Sequence, residues 1–201
     1  MDDLHIPNKM GRILLLALEE ILGEDDLQTV LARAGLRDLR DYPPDNLERA
    51  FPIPWVPRLT VALEDLYGVR EGRNLAFRAG HACFHLGAQD LSLFLDVLRV
   101  ALRLLPQNFR LQTGLQILAE VFNRFTPQSV RVEEAEGVYR WVVENCGFCL
   151  GRVATAPCCH LMGGLLQATL AWFVGKSVSV TETTCIANGA PHCTLQVEPG
   201  V

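Results

Sequence analysis

From Lys9 to Phe125 the apolar positions recur mostly with a helical period, and beyond Pro127 they alternate every second residue. Met10, Ile13, Leu14, Ala17, Leu18 and Ile21 make one apolar face over Lys9 to Leu22, with Glu19 and Glu20 opposite and Gly23 as the stop. Asp26 can cap a second short helix that runs to about Ala34 and closes at Gly35. Residues 1–36 thus read as a helical hairpin whose apolar face must cover either the main domain or a second subunit. Residues 37–57 carry Pro43, Pro44, Pro52, Pro54 and Pro57 and read as an irregular connector.

The main domain, 58–201, opens with the helix Val56 to Tyr67, which overlaps the connector's end and places Leu59, Leu63 and Leu66 on one side. Three more helices are expected: Glu71 to Leu86, Leu91 to Leu105 capped by Asp90, and Leu111 to Phe125. Ser129 to Glu134 and Val138 to Glu144 alternate around a turn at Glu136-Gly137, which predicts an antiparallel hairpin. A helix from about Pro157 to Val174 joins it to a second hairpin, Val178 to Ile186 with Thr194 to Val197. The predicted class is α+β, with N-terminal helices packed on an antiparallel sheet of about four strands.

A net charge of -5 removes any general attraction to nucleic acid or anionic membranes, so direct nucleic-acid binding is not expected. No apolar run approaches the roughly 18 residues of a membrane span, and the N-terminus lacks a basic secretory n-region, which points to the cytoplasm. The hydrophobic fraction of 49% and the apolar N-terminal helix suggest a cavity or a homodimer, with Leu14, Leu18 and Ile21 as candidate subunit contacts. His81 and His85 share a helical face at a spacing that can hold a metal, although such pairs are common by chance.

The chemistry concentrates in the cysteines. Of seven, all but Cys83 lie between residues 146 and 193, which suits a reducing compartment and metal or redox chemistry better than a disulfide scaffold. Cys146 and Cys149 form a CxxC directly after a strand, readable as half a metal site or as a redox pair. Cys158, Cys159, Cys185 and Cys193 follow on separate elements, and Glu182 lies three residues before Cys185. Thiolates with one carboxylate suit a closed tetrahedral zinc site, and an all-cysteine site including Cys146 and Cys149 stays open as well. Alternatively, Cys185 and Cys193 are small buried hydrophobes facing each other.

The pattern Glu182-x-x-Cys185-x-x-x-Gly189-x-x-x-Cys193, preceded by Cys159, Gly164 and Gly175, resembles the 4-vinyl reductase (4VR) domain, a small-molecule (hydrocarbon) binding module. Phe77-Arg78-Ala79-Gly80-His81 adds a weaker likeness, and the resemblance extends over roughly Leu75 to Val197. It implies a structural zinc held by Cys159, Glu182, Cys185 and Cys193, as in the sensor domains of phenol-responsive activators. Cys146, Cys149 and Cys158 are then alternative ligands.

The resemblance further implies an apolar or aromatic ligand between helices and sheet, with Phe122, Phe125, Trp141, Phe148, Trp172 and Phe173 as candidate lining. A zinc-stabilised sensor or carrier signalling through a further protein partner is the leading reading, with no catalytic residue assigned. The family's name suggests a second one, an accessory protein or reductase of chlorophyll or other tetrapyrrole metabolism. Against a reductase, the sequence has no GxGxxG fingerprint and no evident flavin site. A third reading is a haem or iron-sulfur sensor using His81, His85 or the CxxC.

Overall fold

The computed structural model describes residues 4–37, 39, 41–89, 102, 105–135 and 137–200. Helices α1 (Asn8–Leu22), α2 (Glu24–Arg33), α3 (Trp55–Tyr67) and α4 (Val69–Gln89) come first. Then follow α5 (Gln107–Phe125), strands β3 (Ser129–Ala135) and β4 (Val138–Glu144), α6 (His160–Val174), and strands β5 (Val178–Thr184) and β6 (Cys193–Pro199). The predicted helix from Leu91 to Leu105 lies almost wholly outside the described residues. The four strands form one antiparallel sheet in the order β3-β4-β6-β5, so the class is α+β, as the period change at Pro127 predicts.

One element has no sequence signal. β1 (His5–Pro7) pairs antiparallel with β2 (Arg49–Pro52) inside the proline-rich stretch, with Ile6 opposite Phe51. Strands of three and four residues are too short to show a period.

Two buried clusters make the core. One joins the sheet to α5 and α6 around Trp141, Leu166 and Leu195, and the other joins α1, α2, α3 and α4 around Leu15, Leu59 and Leu63. Leu14 and Leu18 are 6% and 2% exposed and belong to this second cluster, so they pack inside the chain and are not free to contact another subunit.

α4 and α6 cross at a backbone-to-backbone contact. A Cβ on Gly80 would stand 2.1 Å from the Leu161 carbonyl oxygen, and one on Gly164 would stand 1.9 Å from that of Phe77. Two missing side chains let these helices approach and set the start of α6, where Cys159 is the capping residue.

Candidate metal centre and adjoining cavity

Three elements bring the cysteines together. The antiparallel register sets Cys193 on β6 opposite Val143 on β4, three residues before Cys146. The CxxC loop then turns back through Asn145, whose positive φ of 53° reverses the chain. Beyond β5, Cys185 precedes a single 3-10 turn (Ile186–Asn188), where its carbonyl accepts from the Asn188 and Ala190 N–H groups, each at 3.2 Å.

Six cysteines are buried here and all are free thiols. Cys146 Sγ is 3.7 Å from Cys159 Sγ, and Cys149 Sγ is 3.5 Å from Cys193 Sγ. Cys159, Cys185 and Cys193 form a triangle with sides of 3.8, 3.8 and 3.9 Å. Two four-residue groups each have their donor atoms within 4.8 Å of one another: Cys146, Cys149, Cys159 and Cys193, and Cys159, Glu182, Cys185 and Cys193. Cys158 Sγ lies 3.8 Å from Cys185 Sγ and belongs to neither group.

Glu182 distinguishes this cluster from packed thiols. Its Oε2 accepts the Cys159 N–H at 2.7 Å, while Oε1 is buried without a partner among sulfurs. Burial pushes its carboxyl up to about 8, against the lowering effect of the Cys159 N–H. A buried carboxylate oxygen with no donor is costly, and a cation shared with the thiolates removes the cost. The residues present therefore fit a bound metal ion.

Within the CxxC pair the Cys146 thiol is held well below its ordinary range by a hydrogen bond from Cys149, whose own value that bond raises. The Ile186 N–H donates to Cys193 Sγ at 3.3 Å, as outer donors to a ligating thiolate do. Arg152 braces the loop: its backbone N–H donates to the Cys149 carbonyl at 3.0 Å, and its guanidinium reaches Glu64 and Thr60 on α3 at 3.0 and 3.2 Å.

Against the CxxC loop lies a cavity of about 170 Å³ at the seam between the two core clusters. Its walls include Met10, Ile13 and Leu14 of α1, Cys83 of α4, Phe122 of α5 and Leu161 of α6, together with Phe148 of the CxxC loop. Thr126 and Gln128 are its polar edge. Gln128 Oε1 accepts the Gly147 N–H at 2.9 Å, and its Nε2 donates to Thr126 Oγ1 at 3.4 Å. Burial pushes the Cys83 thiol up to about 12, so it faces the cavity uncharged.

Of the aromatic candidates, Phe122 and Phe148 line this space, their ring centroids 6.3 Å apart. Trp141 stands behind Phe122, edge-on at 5.8 Å, and is fully buried. Phe173 packs over Gly114 and against Trp172, and Phe125 lies under the Arg124 guanidinium; none of these three borders the cavity. His81 bonds Gln167 of α6 at 2.8 Å, and neither it nor His85 joins the cysteine cluster. Thr126, Gln128 and Cys83 carry no signal of a site in the sequence, where Met10, Ile13 and Leu14 read as a packing face. Proximity across the fold is what marks them.

Residues 140–199, from within β4 to the end of β6, match the vinyl-4-reductase (4VR) domain family. The chain carries a 4VR domain. The motif from Cys159 to Cys193, on which the sequence resemblance rests, lies wholly inside the matched segment.

Among solved structures, the 4VR chain is similar to the phenol-responsive sensory domain of the transcription activator PoxR with phenol, at 21% identity and a TM-score of 0.53 over 77% of this chain and 78% of that one. It is also similar to an Fe(II) unliganded H-NOX protein from K. algicida, at 10% identity and a TM-score of 0.61 over 98% and 97%. An H-NOX protein from S. oneidensis in the Fe(II)NO state gives 14% and 0.56 over 93% and 97%. At these identities the likenesses concern the fold. No curated protein sequence matches the chain. Among the described residues, no helix is long and apolar enough to cross a membrane.

Proposed function

We propose that this 4VR protein is a small-molecule sensor or carrier that takes one apolar or aromatic ligand in the cavity beside the cysteine cluster. The observation that carries the reading is the cavity's size and lining. An apolar space of about 150 Å³ binds benzene in another protein, and the volume here is about 170 Å³ with Thr126 and Gln128 at one edge. That edge suits a ring with a single hydroxyl group, and the PoxR sensory domain, of similar fold, is known with phenol.

Zinc is the metal that the donor set favours, held by Cys159, Glu182, Cys185 and Cys193. Three thiolates and a carboxylate fill a tetrahedral shell and leave no position for water, so the ion would tie α6 to the last hairpin and do no hydrolysis. The reading assigns no catalytic residue. A cytoplasmic, homodimeric protein that passes its signal to a further protein remains part of the proposal. So does the division into a hairpin, a connector and a ligand-binding domain.

The H-NOX likeness favours a second reading, a haem sensor. The described lining has no histidine, and the volume matches one aromatic ring, not a macrocycle. An absorption spectrum separates the two, since zinc is colourless and haem is not. The test of the main reading is calorimetric titration of the metal-loaded protein with phenol and toluene, beside Ile13→Phe, which fills the cavity. Saturable one-to-one binding lost in the variant is expected. No binding of either compound, or equal binding by the variant, would overturn the reading.

A further inference from the structure

The metal centre proposed above uses four side chains and leaves Cys146 and Cys149 as buried thiols at contact distance from two of its ligands. We propose that these two cysteines complete a second metal site, making a dinuclear centre in which the thiolates of Cys159 and Cys193 bridge the two ions. The inference extends the zinc reading and rests on it for the second ion's neighbours.

The two donor groups overlap in two members, Cys159 and Cys193. Each group has four donors, the number that a closed tetrahedral site takes. A metal-sulfur distance of about 2.3 Å sets the edge of a regular thiolate tetrahedron at about 3.8 Å. The contacts Cys146 to Cys159 at 3.7 Å, Cys149 to Cys193 at 3.5 Å and Cys159 to Cys193 at 3.9 Å lie near that edge. So do the two contacts from Cys185, both at 3.8 Å. The Cys159–Cys193 edge is therefore common to two tetrahedra, one completed by Cys146 and Cys149, the other by Cys185 and Glu182.

Charge favours the pair of ions. As the second divalent ion enters, Cys146 and Cys149 each release a proton, so the two added positive charges meet two added thiolates. The net charge of the buried centre does not change. A cubane iron-sulfur cluster fits this packing less well, because it puts each cysteine on a different iron and separates the sulfurs by intervening sulfides. A redox role for Cys146 and Cys149 would leave them out of the shell, although their sulfurs sit on its edge.

The test is metal content and cobalt titration of the full chain, prepared reduced and metal-free. Two zinc ions per chain by native mass spectrometry are expected, falling to one in the Cys146→Ser/Cys149→Ser double variant and to one in Glu182→Gln. Because a variant can fail to fold, the wild type is also titrated with Co(II). A paramagnetic resonance signal that grows to one equivalent and declines toward two is the signature of bridging thiolates. An endpoint at one equivalent, or two signals that simply add, would overturn the dinuclear centre. One zinc retained by the double variant and lost in Glu182→Gln would leave the mixed site standing and remove only the second ion. One zinc with the opposite behaviour would remove both.

Discussion

Gln128 Oε1 accepts the Gly147 N–H at 2.9 Å, and both residues line the cavity. Gly147 stands between Cys146 and Cys149, so the same loop is cavity wall on one side and sulfur donor on the other. A Cβ on Gly147 would lie 2.1 Å from the Ile53 side chain, so the loop is held close on its cavity face too.

This shared loop predicts linkage. Stripping the metal from reduced protein should weaken binding of a mono-aromatic ligand by a factor within about 5 to 150, the usual span of coupling energies. The ligand should tighten metal binding by the same factor. Ligand titration of both forms, with competition by a chromophoric chelator, measures each side. Equal ligand affinities with and without metal would break the connection.

The α4–α6 crossing predicts opposite outcomes at neighbouring glycines. Gly164→Ala puts a Cβ against the Phe77 backbone, which cannot yield as a side chain end can, and should cost about 1–3 kcal/mol or more. At Gly163 the nearest atom is the Phe77 ring at 3.7 Å, an ordinary contact. Gly163→Ala should therefore be stabilising by about 0.5–1 kcal/mol through helix propensity. Denaturant unfolding of both variants checks the contrast, and equal effects would contradict it.

Glu182 should leave a mark on the pH dependence of the metal-free protein. Burial raises its carboxyl from the ordinary 4.5 to about 8 in the folded chain. A raised folded value means that its contribution is fully present below about pH 4.5 and is lost as the pH climbs toward 8. Metal-free Glu182→Gln should lack that decline. Thermal unfolding across this window, with reductant present, would show parallel curves if the carboxyl were not buried as described.

Leu18 sits on α1 at 2% exposure within the second core cluster. Leu18→Ala should cost about 2–5 kcal/mol, as buried leucine truncations do. It should leave the association state measured by sedimentation unchanged. A shift to monomers with unaltered stability would return this face to a subunit interface.

Much of the secondary structure was legible because periods of 3.6 and 2 are local. Lys9 to Leu22 and Val138 to Glu144 show them within one element, and the structure has a helix and a strand there. The chemistry of the centre was legible for a related reason: a thiolate or carboxylate declares what it can bind by its type alone. The 4VR resemblance narrowed the candidates through spacing along the chain.

The partnership of those donors is another matter. Cys146 and Cys193 are 47 residues apart in sequence, and the β4–β6 register, with Val143 opposite Cys193, brings their neighbourhoods together. A register slip of one residue would turn Cys193 to the other face of the sheet. The same dependence on distant elements hid the cavity. Ile13 on α1 and Phe148 in the CxxC loop meet there because Gly80 and Gly164 let two helices close to backbone contact. Identity and period are properties of a residue and its near neighbours, whereas a shared sulfur edge and an empty space are properties of packing, and they exist once the chain has folded.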